Sequence, residues 1–390
     1  MHSFNKSGRI IVTCSKGIAP FLQKEIDELG FKIISFFQTG VKISGTLNDC
    51  IQLNLNLRCA NRVLFSLKSF ECRDAAQLYN VIFNDIQWEN IIDDNGYFSV
   101  ISNVQNETIT NSLYANVKVK DAIADRFIKV KNKRPDSGSE VSNTVINLYW
   151  KDDEAEIFLD TSGETLSKHG YRKIPGSAPM MESLAAATLL ATNWNKKSSF
   201  INPMCGSGTL AIEAALMATN RRPGLFRDNY AFMHILGYEE IFYENIKRQL
   251  SAQIISPTEL FILANDISED AINITKINAG AAGVAEIIKF DHNDFREIEV
   301  PGPQEGVIFF NPEYGDRLGI EPELQEIYRE MGDFMKKKCK GYTGYIFTGN
   351  LSLAKKIGLK PNRRLEFYNG KIECRLLEYE LYSGSRNKDF

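Results

Sequence analysis

Four residues, Asn311-Pro312-Glu313-Tyr314, follow directly on the apolar run 307–310. Such a run reads as a buried strand, and the tetrapeptide as the turn that ends it. The same residues are also equipped to handle a flat ligand that carries an amine. The Asn311 side-chain oxygen and the Pro312 carbonyl both accept hydrogen bonds. Two acceptors converging on one amino group turn its lone pair toward an electrophile. Tyr314 offers an aromatic face on which a base can stack. The chemistry that fits is substitution at an exocyclic NH2.

Three other strand ends carry polar residues of a matching kind. "FINPMCGSGTLAIEAALMA" runs a strand into Gly206-Ser207-Gly208, with a helix expected from about Thr209. Glycines let the backbone turn tightly and come close to a ligand. The helix N-terminus adds free N–H groups and positive dipole. No Gly-Lys-Ser/Thr follows, so this is not a P-loop, and the full GxGxxG of nicotinamide enzymes is absent. The next apolar strand ends at Asp266, whose carboxylate can accept both hydroxyls of a ribose. Its plainer role is a helix N-cap, for which Ser268 is an equal candidate. The third is followed by "DHNDF", where Asp294 either accepts from an adenine amino group or is a turn carboxylate. Ligands of open α/β sheets bind beyond the carboxyl ends of the strands, and all four features fall there.

Those ends need a sheet behind them. From about residue 165, strongly apolar strands alternate with helices: "SSFINP", "ELFILAND", "EIIKFD", "EGVIFFN" and "GYIFTGN". This predicts a doubly wound parallel sheet covered on both faces. The end departs from that pattern, because Asn369-Gly370 between two strand patterns predicts a hairpin and an antiparallel edge. The first third has another grammar, short strands mixed with helices as in a small α+β sandwich. A strand is expected at "RIIVTC", a helix over 17–30, and a hairpin from "FKIISFF" through "QTG" to "VKISG". A second unit then runs from strand "YFSVISNV" through a long helix to two strands around Lys151-Asp152-Asp153. Its helix and following loop hold Lys118, Lys120, Arg126, Lys129, Lys131, Lys133 and Arg134 against Asp121 and Asp125. That cluster is either a solvated helix face or a surface that contacts phosphates.

Bulk properties narrow the setting. The chain has 390 residues, enough for two or three domains, and a formal net charge of −3. Any nucleic-acid surface is therefore a local patch. No apolar stretch approaches a membrane span, and the N-terminus lacks the features of a secretory signal. Seven scattered cysteines without CxxC spacing suggest reduced thiols in a cytoplasm, and four distant histidines give no metal motif.

Taken together, "NPMCGSGT", Asp266 and "NPEYGDRLG" resemble the signature set of class I S-adenosylmethionine-dependent methyltransferases acting on amino groups. More narrowly, the chain resembles the THUMP-domain RNA guanine-N2 methyltransferases of the bacterial 23S rRNA type. "VKDAIADRF…KRPD" matches the THUMP pattern, and "LDTSGETLSKHGYRKIPGSAPMMESLAAATLL" matches the segment leading into the catalytic domain. The resemblance implies an N-terminal ferredoxin-like unit at 1–55, a THUMP RNA-binding domain at 56–162 and a Rossmann-like catalytic domain at 163–390. It implies that Pro203, Cys205, Gly206 and Gly208 shape the loop at the methionine end of the cofactor. Asp266 would hold the ribose and Asp294 the adenine amine. Asn311 and the Pro312 carbonyl would grip the guanine amine, with Tyr314 stacked on the base, while the basic helix docks structured RNA, rRNA or tRNA. Two positions depart from the family. Asn202 stands where Asp is usual, which removes a charge but keeps an acceptor. Glu313 replaces a second proline, so some rigidity is lost while the Pro312 carbonyl stays. Rival readings are an adenine-N6 methyltransferase of DNA or RNA, and a non-catalytic RNA-binding factor with a vestigial cofactor site.

Overall fold

The computed structural model of the protein describes residues 4–109, 111–176, 179–302, 305–314 and 321–382. The chain forms two compact units, each discontinuous in sequence. The first is Met1–Cys14, Leu22–Leu166 and Pro223–Ala252; the second is Ser15–Phe21, Ser167–Arg222 and Gln253–Phe390.

The first unit is built on one eight-stranded sheet. Its strands are β1 (Gly8–Thr13), β2 (Ile33–Phe37), β3 (Gly40–Gly45), β4 (Arg62–Glu71), β5 (Tyr97–Gln105), β6 (Asp136–Gly138), β7 (Thr144–Lys151) and β8 (Glu154–Asp160), in the order β2-β3-β1-β4-β8-β7-β5-β6. Helices α1 (Ala19–Glu28), α2 (Leu47–Asn56), α3 (Ala75–Asn84) and α4 (Ser112–Lys131) lie between them. Thr46 and Asp49 form a reciprocal capping box that starts α2. The sheet runs unbroken across residue 55, because β4 pairs with β1 on one side and β8 on the other. The expected boundary there thus falls within a single sheet.

The second unit is the doubly wound domain. It contains β9 (Ser199–Asn202), β10 (Ile262–Asp266), β11 (Ile288–His292), β12 (Gly306–Phe310), β13 (Tyr342–Thr348), β14 (Arg363–Asn369) and β15 (Ile372–Glu380). Their order is β11-β10-β9-β12-β13-β15-β14, parallel except for the last two. The helices from here on are α5 (Glu182–Ala191), α6 (Thr209–Ala218), α7 (Glu240–Ala252), α8 (Glu269–Ala281) and α9 (Glu321–Lys338). Of these, α7 belongs to the first unit.

Every residue of β12 is buried, as a central parallel strand requires. One face of the sheet packs Ile201, Leu263, Ile308, Phe310 and Ile346 against Tyr328, Met331 and Phe334 of α9. The chain winds outward from β9 to β11, then returns to β12 on the other side of β9. The point of reversal lies between the carboxyl ends of β9 and β12, where this fold opens a crevice. Register fixes what meets there. Ile201 pairs with Ile308, so Asn202 comes level with Phe309 and Asn311 lies just beyond. Among the described residues no helix is long and apolar enough to cross a membrane.

Candidate active site

The crevice is a cavity of about 760 Å³. Its wall brings together Cys205, Gly206, Asp266, Asn311, Pro312 and Tyr314 from three separate stretches of chain. Asn202, Pro203 and Gly208 are not among its lining residues. Residues 315–320 of the "NPEYGDRLG" motif lie outside the described residues.

The glycine loop is shaped by two left-handed residues, Gly206 at φ 55° and Gly208 at φ 83°. A Cβ on Gly208 would sit 2.4 Å from Thr275 Cγ2, so only glycine lets α8 come this close. A Cβ on Gly206 would meet nothing within 4 Å; that side of the loop faces open space. The Gly206 N–H donates to Asp266 Oδ2 at 2.9 Å, and the Ser268 N–H to Oδ1 at 3.0 Å. Each carboxylate oxygen keeps a lone pair for a ligand hydroxyl. Ser268, and not Asp266, is the N-cap of α8.

Asn202 is fully buried, and its Nδ2 donates to the Phe309 carbonyl at 2.9 Å. An ionised Asp could not make that bond. Cys205 is buried with its thiol 3.6 Å from Thr275 Oγ1, and burial pushes the thiol pKa up to about 12. It shapes the wall as an inert thiol, not a nucleophile.

On the facing wall, the Asn311 side-chain oxygen is buried and has no hydrogen-bond partner among the described residues. A buried acceptor left open in a cavity calls for a ligand donor. Tyr314 packs edge-on to Phe347, ring centroids 6.1 Å apart, and its hydroxyl accepts from Asn369 Nδ2 at 2.9 Å. Burial raises the Tyr314 hydroxyl well above the usual tyrosine range, so it stays neutral and presents a ring, not a base. The Tyr328 hydroxyl donates to the Glu313 carbonyl at 3.3 Å and fixes the turn from α9.

Asp294 is placed elsewhere. It does not line the cavity; both its oxygens are held by the Arg296 guanidinium, with the Arg296 N–H adding a third bond at 2.9 Å. Those bonds hold its carboxyl below the usual carboxylate range. Arg296 lies two residues on, close enough to claim Asp294 locally.

Several residues that build the site carry no motif. Asn265, fully buried, donates through Nδ2 to the Pro203 and Asn293 carbonyls, at 2.9 and 3.0 Å. It ties together the loops after β9 and β11. A polar residue inside the apolar strand "FILAND" was the available signal, since buried amides are retained where they satisfy something. Arg172 reaches Ser207, Thr209 and the Met180 carbonyl, and Asn278 bonds both Ile174 and Ser207. These long-range ties bind the segment before α5 to the glycine loop and leave no local trace.

The basic helix divides. Arg126 is spent on Glu89 through two bonds at 2.7 and 2.8 Å and on the Phe83 carbonyl. Lys120 bonds the Gly138 carbonyl, and Lys133 bonds Asn95. Lys118 lies over the Tyr114 ring and Lys129 over Phe83. Lys129, Lys131, Lys133 and Arg134 form an exposed cluster at the end of α4.

The model of the RMKL-like methyltransferase domain (UPF0020) matches residues 169–378, more than half of the chain. The chain belongs to the RMKL-like methyltransferase family. A second model, the RlmL ferredoxin-like domain, matches residues 9–64 and so spans β1 to the start of β4. The chain is 35% identical over 377 residues to the ribosomal RNA large subunit methyltransferase K/L of Psychromonas ingrahamii, covering 95% of this chain and 50% of that protein. It thus spans about half the length of the curated relatives it matches. The crystal structure of SMU.472 complexed with SAH superposes with a TM-score of 0.88 at 26% identity, over 97% of this chain and all of that one. That of an N6-adenine-specific DNA methylase, so predicted, from Listeria monocytogenes gives 0.86 at 27%, over 96% and 97%. The second unit has the class I methyltransferase fold, whose cofactor is S-adenosylmethionine. The residues present fit that group: open space beside Gly206 and carboxylate acceptors on Asp266.

Proposed function

We propose that this chain transfers a methyl group from S-adenosylmethionine to the exocyclic N2 of a guanine in the large-subunit ribosomal RNA, the 23S species in bacteria. The observation that carries the reading is the open, buried acceptor of Asn311 on the cavity wall that also holds Tyr314. The relatives named for large-subunit RNA methylation support the substrate. The exposed cations Lys129, Lys131, Lys133 and Arg134 support a polyanionic partner.

The cofactor, when bound, supplies a methyl group on an electrophilic sulfonium. Asp266 would hold its ribose, and the glycine loop would let the backbone approach it. The chain then has to present a poor nucleophile in line, because the guanine amine is conjugated with its ring. Asn311 and the Pro312 carbonyl accept from that amine and favour the pyramidal nitrogen on which positive charge develops. Transfer would exchange the methyl group's bond to sulfur for one to nitrogen, and the nitrogen would then release one proton to solvent. A paired guanine must first leave its stack, which costs a few kcal/mol. Stacking on Tyr314 offsets roughly 1–3 kcal/mol of that.

The test is transfer of a tritiated methyl group to rRNA, followed by nucleoside analysis. N2-methylguanosine is the expected product. The Listeria relative favours a second reading, methylation of adenine N6. Recovery of N6-methyladenosine in place of N2-methylguanosine would establish it and reject the first.

A further inference from the structure

The hairpin at the end of the sheet turns one residue later than its Asn-Gly signal predicts. Asn369 pairs with Ile372, so the two-residue turn is Gly370-Lys371, with Gly370 at φ 62°. Asn369 therefore remains in β14, and its amide reaches the Tyr314 hydroxyl. Tyr314 is confined from another side as well, since a Cβ on Gly349 would lie 2.8 Å from its ring. Asn369, Lys371 and Ile372 all line the cavity that holds Asn311.

Charge singles out Lys371. The lining contains two carboxylates, Asp266 and Glu313, and Lys371 is its single basic side chain among the described residues. Two other hairpin cations are already paired, Arg363 with Glu378 at 3.5 Å and Arg375 with Glu373 at 2.5 Å and Glu366 at 3.3 Å. Lys371 is exposed, and no ion pair holds it among the described residues. A nucleotide whose base enters this cavity brings a phosphate past two carboxylates, and needs a cation at the rim.

We propose that the β14–β15 tip recognises the acceptor nucleotide, Lys371 contacting its phosphate and Asn369 acting as a positioning residue that orients Tyr314. The inference rests on the nucleic-acid methyltransferase reading above. Lys371 works as a point charge and carries no base preference. Asn369 acts through the Tyr314 hydroxyl, so its removal lets the ring swing and weakens turnover.

The experiment measures methyl transfer to a transcript of large-subunit rRNA over a salt series, for the wild type, Lys371→Gln, Lys371→Glu, Asn369→Ala, Tyr314→Phe and the Asn369→Ala/Tyr314→Phe double variant. Calorimetry with S-adenosylmethionine checks that each variant is folded. Lys371→Glu is expected to raise KM for RNA about tenfold, and Lys371→Gln to flatten the slope of log KM against log salt by about 0.7, one phosphate contact. Asn369→Ala is expected to lower kcat about fivefold and to add nothing in the Tyr314→Phe background. Unchanged KM and slope in both Lys371 variants overturn the phosphate contact, and additive losses overturn the positioning role. No transfer by the wild type overturns the functional reading and this inference with it. An active wild type with unmoved variants overturns this inference alone.

Discussion

In the proposed reading Asn311 carries the most functional weight, because its buried oxygen has no partner among the described residues. On that reading Asn311→Ala removes one acceptor that would be engaged most strongly in the transition state. It should lower kcat by about 10²–10³-fold, by analogy with loss of an oxyanion-hole donor. Affinity for S-adenosylmethionine should stay near that of the wild type in calorimetry, and near-normal turnover would sink the role. The two glycines of the loop give a contrasting pair. Gly208→Ala combines a left-handed φ with a contact at 2.4 Å, and should cost about 2 kcal/mol or more in urea unfolding. Gly206→Ala meets no atom, so it should cost only about 1 kcal/mol of backbone strain while its methyl group intrudes on the cavity and weakens cofactor binding. Most of these residues were legible in the sequence, because each sits at a strand end beside a residue type with one obvious chemistry. Asp294 looked equally good, but in the structure it lies outside the cavity lining and the neighbouring Arg296 binds both its oxygens. Asn278 and Arg172 were not legible, since their partners are brought close only by folding, and Asn265 left only the signal of a polar residue inside an apolar strand.

At the scale of elements, α4 separates cations that hold the fold from cations that can meet a ligand. The Arg126–Glu89 pair is only 14% exposed on either side and belongs to the fold. Arg126→Gln should lower stability by roughly 1.5–3 kcal/mol, the net worth of hydrogen bonds to a charged group. Its pH signature has a definite sign. The hydrogen bonds from Arg126 hold the Glu89 carboxyl below the usual carboxylate range. Such a group stabilises above its unfolded pKa and loses that contribution as pH falls through its folded value. The wild type and Arg126→Gln should therefore differ most above about pH 5 and converge in acid; a gap that widens in acid would contradict the assignment. Glutamine at Lys129, Lys131, Lys133 and Arg134 together should leave stability near that of the wild type and flatten the salt dependence of RNA binding. The seven cations looked alike in the sequence, because charge spacing does not reveal which partners lie across a helix. The same limit applied to the hairpin. Asn-Gly announced that the chain turns, but the pairing of Asn369 with Ile372 set where it turns, and so which side chain meets Tyr314.

At the scale of the whole chain, sequence order and spatial order part company. The family match runs through residues 169–378, yet Pro223–Ala252 folds with the first unit. The change of grammar near residue 165 was readable, but a segment that leaves its neighbours and returns has no signature of composition. Inside the first unit that segment is well seated. Tyr230 stacks on Phe232 at 5.0 Å and both are fully buried. Asn229 donates to the Ser142 carbonyl at 2.7 Å, and the Leu236 N–H to the Ile91 carbonyl at 2.9 Å. Gly224 packs so closely on Leu55 that a Cβ would lie 2.4 Å from its Cα. A fragment of residues 167–390 strips all of this away and leaves the aromatic cluster in water, a patch that favours association. Cutting out the segment should cure the defect, because its ends already meet: Asn220 Nδ2 donates to the Gln253 carbonyl at 3.2 Å, and the Ile255 N–H to the Thr219 carbonyl at 3.0 Å. A short glycine-rich link from Arg222 to Gln253 spans that gap without strain. The seven-stranded sheet, the glycine loop, Asp266 and Asn311 all remain in the trimmed fragment. It does lose Phe21, which stacks on Phe367 at 5.6 Å, so its stability should fall below that of the full chain. The trimmed fragment should elute as a monomer and bind S-adenosylmethionine, while the untrimmed one should associate and bind a hydrophobic dye. An untrimmed fragment that is monomeric and silent to the dye would show that Pro223–Ala252 can fold without the first unit.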